Sequence, residues 1–154
     1  MRADVELGGG ITLTSLTSYA SFDQTQRVDQ DGNALVTFDL EKANGYIKTF
    51  NQELRLANDS KSQLRWLLGA NYENSKTFED QALRYFDNSN NAYTLNWINY
   101  SGVLNHQAIK NYAFFGNVEY DLTDQLTLKA AGRYTNSTID SSICSYTWAP
   151  PSTR

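Results

Sequence analysis

The stretch "NYAFFGNVEYDLTDQLTLKAAGRYT", residues 111–135, alternates large apolar and polar side chains, breaks at an aspartate-containing turn, and alternates again. Tyr112, Phe114, Gly116, Val118, Tyr120 and Leu122 share one phase; Asn111, Ala113, Asn117, Glu119 and Asp121 share the other, where Phe115 is the exception. Past the turn, Leu126, Leu128, Ala130, Gly132 and Tyr134 alternate with Thr127, Lys129, Ala131, Arg133 and Thr135. A period of two predicts strands, because successive side chains of a strand point to opposite faces. A helix would scatter Leu128 and Tyr134 onto the charged side beside Lys129 and Arg133.

The same unit recurs upstream. In "FNQELRLANDSKSQLRWLLGANYENSKTF", Phe50, Leu54 and Leu56 oppose Asn51, Glu53 and Arg55, then Leu64, Trp66, Leu68, Ala70 and Tyr72 oppose Arg65, Gly69, Asn71 and Glu73. A weaker copy, "ADVELGGGITLTSLTSYASF", sets Ala3, Val5 and Leu7 before a triple-glycine turn and Ile11, Leu13 and Tyr19 after it, with Leu16 on the wrong face. Hairpins are expected over about residues 2–22, 44–78 and 108–138, with tight turns at Gly8–Gly10, Asn58–Lys61 and Leu122–Gln125. Long polar connections are expected at 23–43 and 79–107, and a truncated loop at 139–154. The fold class that follows is all-β, an antiparallel meander of about six long strands.

Strands of about a dozen residues exceed the ~5–6 usual in soluble sheets and match the ~9–11 of tilted membrane-spanning strands. Both prolines, Pro150 and Pro151, fall outside every expected ladder. With strands running alternately up and down, Tyr19, Tyr46, Tyr72, Tyr112 and Tyr134 fall toward the long connections, and Trp66 and Tyr120 toward the tight turns. Two rows of amphipathic rings around a band of Leu, Val, Ala and Gly describe a wall with lipid on one side and water on the other. A soluble β-sandwich or lipocalin-like barrel also alternates, with its apolar face inward. Strand length, loop asymmetry and ring placement together favour the membrane wall.

Composition closes other routes. No apolar run approaches the ~18 residues of a membrane helix, and the mean hydropathy is −0.55. A net charge of −4 with no basic stripe argues against nucleic acid as a partner. No apolar stretch follows the opening "MRADVELGGG", so no signal peptide is expected in this sequence.

The stretches "LTSLTSYASFDQT", "FNQELRLAND", "LRWLLGANYENSKTFED" and "NYAFFGNVEYDLTDQLTLKAAGRYTNSTID" together resemble the barrel of the TonB-dependent outer-membrane receptors, siderophore-type receptors in particular. The resemblance implies a 22-stranded barrel around an N-terminal plug, importing a scarce ligand such as a ferric siderophore with energy passed on by the TonB complex through the plug. It implies as partners the outer-membrane lipid, the remainder of the barrel and the plug. The matching stretches correspond to an open barrel segment without the plug. Two other readings stay open: a small self-contained outer-membrane channel or adhesin, and a soluble β-barrel binding protein.

Candidate sites are few. No catalytic constellation emerges, since His106, the only histidine, and Cys144, the only cysteine, fall in separate polar stretches with no supporting motif. The sequence therefore reads as non-enzymatic and without a cofactor. "DQDGN", Asp29 to Asn33, has alternating oxygen ligands but fails calcium-loop spacing, which would put glycine at Ala34 and glutamate at Leu40. Asp31-Gly32 reads instead as the tip of a hairpin. Ligand contact is expected from Tyr85, Tyr93, Trp97, Tyr100 and His106 in the aromatic-rich segment 78–107. Glu53, Arg55, Arg65, Glu73, Lys129 and Arg133 are expected on the water side, paired with one another or with a plug.

Overall fold

Alternation becomes a continuous ladder in the computed structural model, which describes residues 1–32, 34, 37–86 and 99–148. Six strands follow in order: β1 (Arg2–Gly8), β2 (Ile11–Asp29), β3 (Phe38–Ala57), β4 (Leu64–Tyr85), β5 (Tyr100–Thr123) and β6 (Leu126–Trp148). Each pairs with its neighbours in the chain, giving one open antiparallel meander with β1 and β6 at its edges. Among the described residues no helix is long and apolar enough to cross a membrane.

The tight turns are made as the residue types dictate. Gly8, Gly9 and Gly10 all take positive φ, at 89°, 62° and 75°, which only glycine adopts without strain. At the β3–β4 turn the Asn58 side chain works in both directions: its Oδ1 accepts from Trp66 N at 2.7 Å and its Nδ2 donates to Leu64 O at 2.6 Å. The β5–β6 turn is reduced to Asp124 and Gln125. In β1–β2, Val5 opposes Leu13 and Arg2 opposes Leu16, so Leu16 lies on the polar face, as its phase indicated.

The strands extend beyond the expected hairpins. β2 continues to Asp29, β3 starts at Phe38, β4 runs to Tyr85, β5 starts at Tyr100 and β6 runs to Trp148. Much of the segments expected as connections at 23–43 and 79–107, and as a truncated loop at 139–154, is therefore sheet. The physical reason is that both faces take polar side chains there, so hydrophobic periodicity fades. The ladder needs only backbone N–H and C=O groups, and it continues. The tip at Asp29–Gly32 is a turn: Asp29 Oδ1 accepts from Asp31 N and Gly32 N at 3.2 and 3.1 Å, and Gly32 has φ 63°.

The chain divides into two units. The turn unit comprises Met1–Ala20, Thr49–Ser75 and Ile109–Ile139; the loop unit takes Ser21–Lys48, Lys76–Ala108 and the residues from Asp140 onward. Among the described residues neither has an interior of large side chains. The buried apolar residues among those described are Ala43, Ala82 and Ala113, and no large side chain is fully buried.

Candidate functional site

In the turn unit, one face is apolar and open. Val5, Leu7, Leu54, Leu68, Phe114, Val118, Leu126 and Leu128 all lie on it as exposed side chains, Leu128 at 54% and Phe114 at 63%. The band has a defined height: Leu64 to Tyr72 on β4 and Leu126 to Tyr134 on β6 each cover nine residues. Phe50, Tyr72 and Tyr112 form its aromatic limit, with ring centroids 6.4 Å apart for Phe50–Tyr72 and 5.0 Å for Tyr72–Tyr112. The one amide within the band, Gln52, is satisfied: Gln52 Nε2 donates to Ser15 Oγ at 2.9 Å and Thr17 Oγ1 donates to Gln52 Oε1 at 2.5 Å.

The opposite face of the turn unit is polar and cross-linked. Arg65 reaches both Asp121 (Nη2–Oδ1 2.7 Å) and Glu119, and Lys129 Nζ lies 3.1 Å from Glu119 Oε1. Arg55 pairs with Glu53. An amide row continues from Asn51 through Asn71 and Glu73 to Asn111, which accepts from Ser137 Oγ. The six charged residues expected on the water side lie on this face. Phe115, a large apolar side chain out of phase on β5, lies over Gly69, where any Cβ would collide with its ring, and Arg133 stacks on it with Cζ 5.6 Å from the centroid.

The loop unit carries the expected ligand-contact residues that are described, and it does not bring them together. Tyr85 closes β4: its N–H donates to Asn99 O at 2.8 Å, and its hydroxyl accepts from Ser101 Oγ at 3.3 Å. Tyr100 and Ser101 are successive residues of a strand, so Tyr100 lies on the face opposite Tyr85. There its ring stacks on Tyr146, with centroids 6.3 Å apart. His106 is a strand residue of β5, exposed, with its ring 4.6 Å from Phe78. Cys144 is likewise an exposed residue of a strand, β6, and not of a loop. Tyr93 and Trp97 lie outside the described residues.

A tighter constellation centres on Asp80. Its carboxylate is buried on β4, with Lys42 of β3 on Oδ2 and the Tyr146 hydroxyl of β6 donating to Oδ1 at 3.2 Å. Tyr146 gets there by lying across β5 at Gly102, where a Cβ would fall inside its ring. Burial, and next the Asp80 carboxylate, push the Tyr146 phenol up; the hydrogen bond to Asp80 raises Lys42. Periodicity pointed to none of these residues. The signal that was there is an acid, Asp80, in phase with Phe78 and Ala82, and a glycine in "YSGVL".

A groove of ≈ 690 Å³ opens in the loop unit, lined among others by Gln81, Leu83, Ser101, Val103, Ser145 and Thr147. Its polar groups are uncharged amides and hydroxyls, suited to hydrogen-bonding a neutral ligand. No protein-family model matches the chain, and no curated protein is significantly similar to it.

Proposed function

We propose that the chain is a membrane-spanning segment of an outer-membrane β-barrel receptor of the TonB-dependent type, taking up a scarce ligand such as a ferric siderophore. The observation that carries the membrane part is the nine-residue apolar band on one face of the turn unit, open to its surroundings and limited by tyrosines, with Arg65 of the other face paired to Glu119 and Asp121. At ~3.3 Å per residue and a tilt near 45°, nine residues rise by ~20 Å, close to the ~25 Å apolar band of outer-membrane barrels. A soluble β-barrel would turn this face inward and bury it.

Within this reading the polar face lines a water-filled interior. Ligand contacts come from Tyr85, Tyr100 and the stretch holding Tyr93 and Trp97. Closure needs further strands, because lipid tolerates no unpaired backbone and β1 and β6 do not pair with each other. Plug and TonB complex supply the energy, and the chain performs no chemistry of its own. The receptor part rests on the sequence resemblance alone.

The test is the apparent mass of the native product in outer-membrane fractions, read with an antibody against residues 78–107. A band several times 17.4 kDa is expected. A heat-modifiable band near 17.4 kDa would instead indicate a small closed or oligomeric barrel, and a product in the soluble fraction would remove the membrane reading altogether.

A further inference from the structure

The basic residues of the sheet differ in their partners: Lys42, in phase with Lys48 on β3, is held by Asp80. In the turn unit, Arg55, Arg65 and Lys129 on the polar face have carboxylate partners. Lys48 and Lys76 in the loop unit are exposed, and neither is in a salt bridge among the described residues. Both are in phase with the apolar face. Along β3, Lys48 comes two residues before Phe50, and along β4, Lys76 comes four residues after Tyr72 with Asn74 between them, so each lies just past the aromatic limit of its strand.

Their surroundings are aromatic. Lys48 Nζ lies 4.9 Å from the Tyr46 ring centroid; Tyr46 and Phe78 are 5.6 Å apart, and Phe78 meets His106. This row of rings crosses β3, β4 and β5 within the loop unit, and Lys76 is two residues from Phe78 in the same phase. Amphipathic rings beside unpaired ammonium groups suit the plane where acyl chains give way to charged head groups. Lys48 and Lys76 are in no salt bridge among the described residues, and phosphates of a lipid leaflet supply their counter-charge.

We propose that Lys48 and Lys76, with the Tyr46–Phe78–His106 row, form a binding surface for the phosphate head groups of an anionic lipid leaflet. The proposal rests on the membrane reading above. It assigns the outward side of the sheet a partner distinct from the imported ligand.

The test takes the product as the cell makes it, extracted from membranes in mild detergent and exchanged into mixed micelles of phosphatidylcholine and phosphatidylglycerol. Lipid retained after re-purification is quantified for wild type, the Lys48→Gln/Lys76→Gln double variant, and Lys61→Gln, which removes a charge at the β3–β4 turn. The expected result is a several-fold enrichment of phosphatidylglycerol over the bulk ratio for wild type and Lys61→Gln. The double variant should fall back to the bulk ratio, and salt should erase the enrichment. Equal enrichment in all three proteins, or none in any, overturns the lipid surface while leaving the membrane reading intact. Absence of the wild-type protein from the membrane fraction overturns both.

Discussion

At Gly102 and Gly69 an aromatic side chain from a neighbouring strand takes the space a side chain would need, Tyr146 in the first case and Phe115 in the second. Gly102→Ala is expected to push the Tyr146 ring away from Asp80 and to cost about 1–3 kcal/mol, as overpacking commonly does. Tyr146→Phe, which keeps the ring and loses one hydrogen bond, should cost only about 0.5–1.5 kcal/mol. Urea midpoints of the two variants in detergent give the order; a Gly102→Ala protein as stable as wild type would show that the ring can lie elsewhere. The pH dependence has a definite sign. The folded state raises both Tyr146 and Lys42, so their contribution is complete below the ordinary tyrosine and lysine values, ~10 and above, and is lost as pH rises through the folded values. Proteolysis of the β6 end from ~pH 8 to ~pH 12 should accelerate at the alkaline limit, and less so in Tyr146→Phe, whose tie is already weakened.

At the scale of the strand, the two faces predict opposite responses to a lysine. Leu128 lies exposed on the apolar side of β6, so Leu128→Lys should reduce membrane insertion by about 2–4 kcal/mol if it sits near the midplane. Thr127→Lys, one residue away, faces Asp121, to which Thr127 donates a hydrogen bond, and should change insertion by less than about 1 kcal/mol. Equal losses in both would remove the assignment of faces. This two-sidedness was legible in the sequence because large apolar and polar residues alternate between Leu126 and Thr135, with Ala131 the one apolar residue in the polar phase. The meander order was legible too, from turns at triple glycine, at Asn58 and after Leu122. What could not be read was the reach of β4 past Phe78 and of β5 before Ala108, where Asp80, Gln81, Gly102 and Asn105 occupy a ladder that any residue with an N–H can join. The Asp80 constellation was hidden for a related reason: Lys42, Asp80, Gly102 and Tyr146 meet only through register across four strands.

For the whole chain, the outer edge of β6 is the decisive feature. It is 23 residues long and pairs only with β5. Such an edge is a template for any other strand. Refolded alone in detergent, the chain is expected to form mixed oligomers by edge pairing, seen as broad high-mass peaks in light scattering. A single stable monomer with heat-dependent gel mobility would contradict this and favour a self-contained barrel.

The meander also sets a timetable. Contacts next to the β5–β6 turn close short loops: Thr127 meets Asp121 across six positions and Lys129 meets Glu119 across ten. The Tyr146–Asp80 bond closes 66. Loop closure grows costlier with length, and hairpins rich in local contacts form early. The β1–β2, β3–β4 and β5–β6 hairpins would therefore zip from their tight turns outward, with the tyrosine laid over Gly102 among the last pieces to arrive. A nascent sheet that stalls midway would hold its apolar band complete while its far ends were still unfastened.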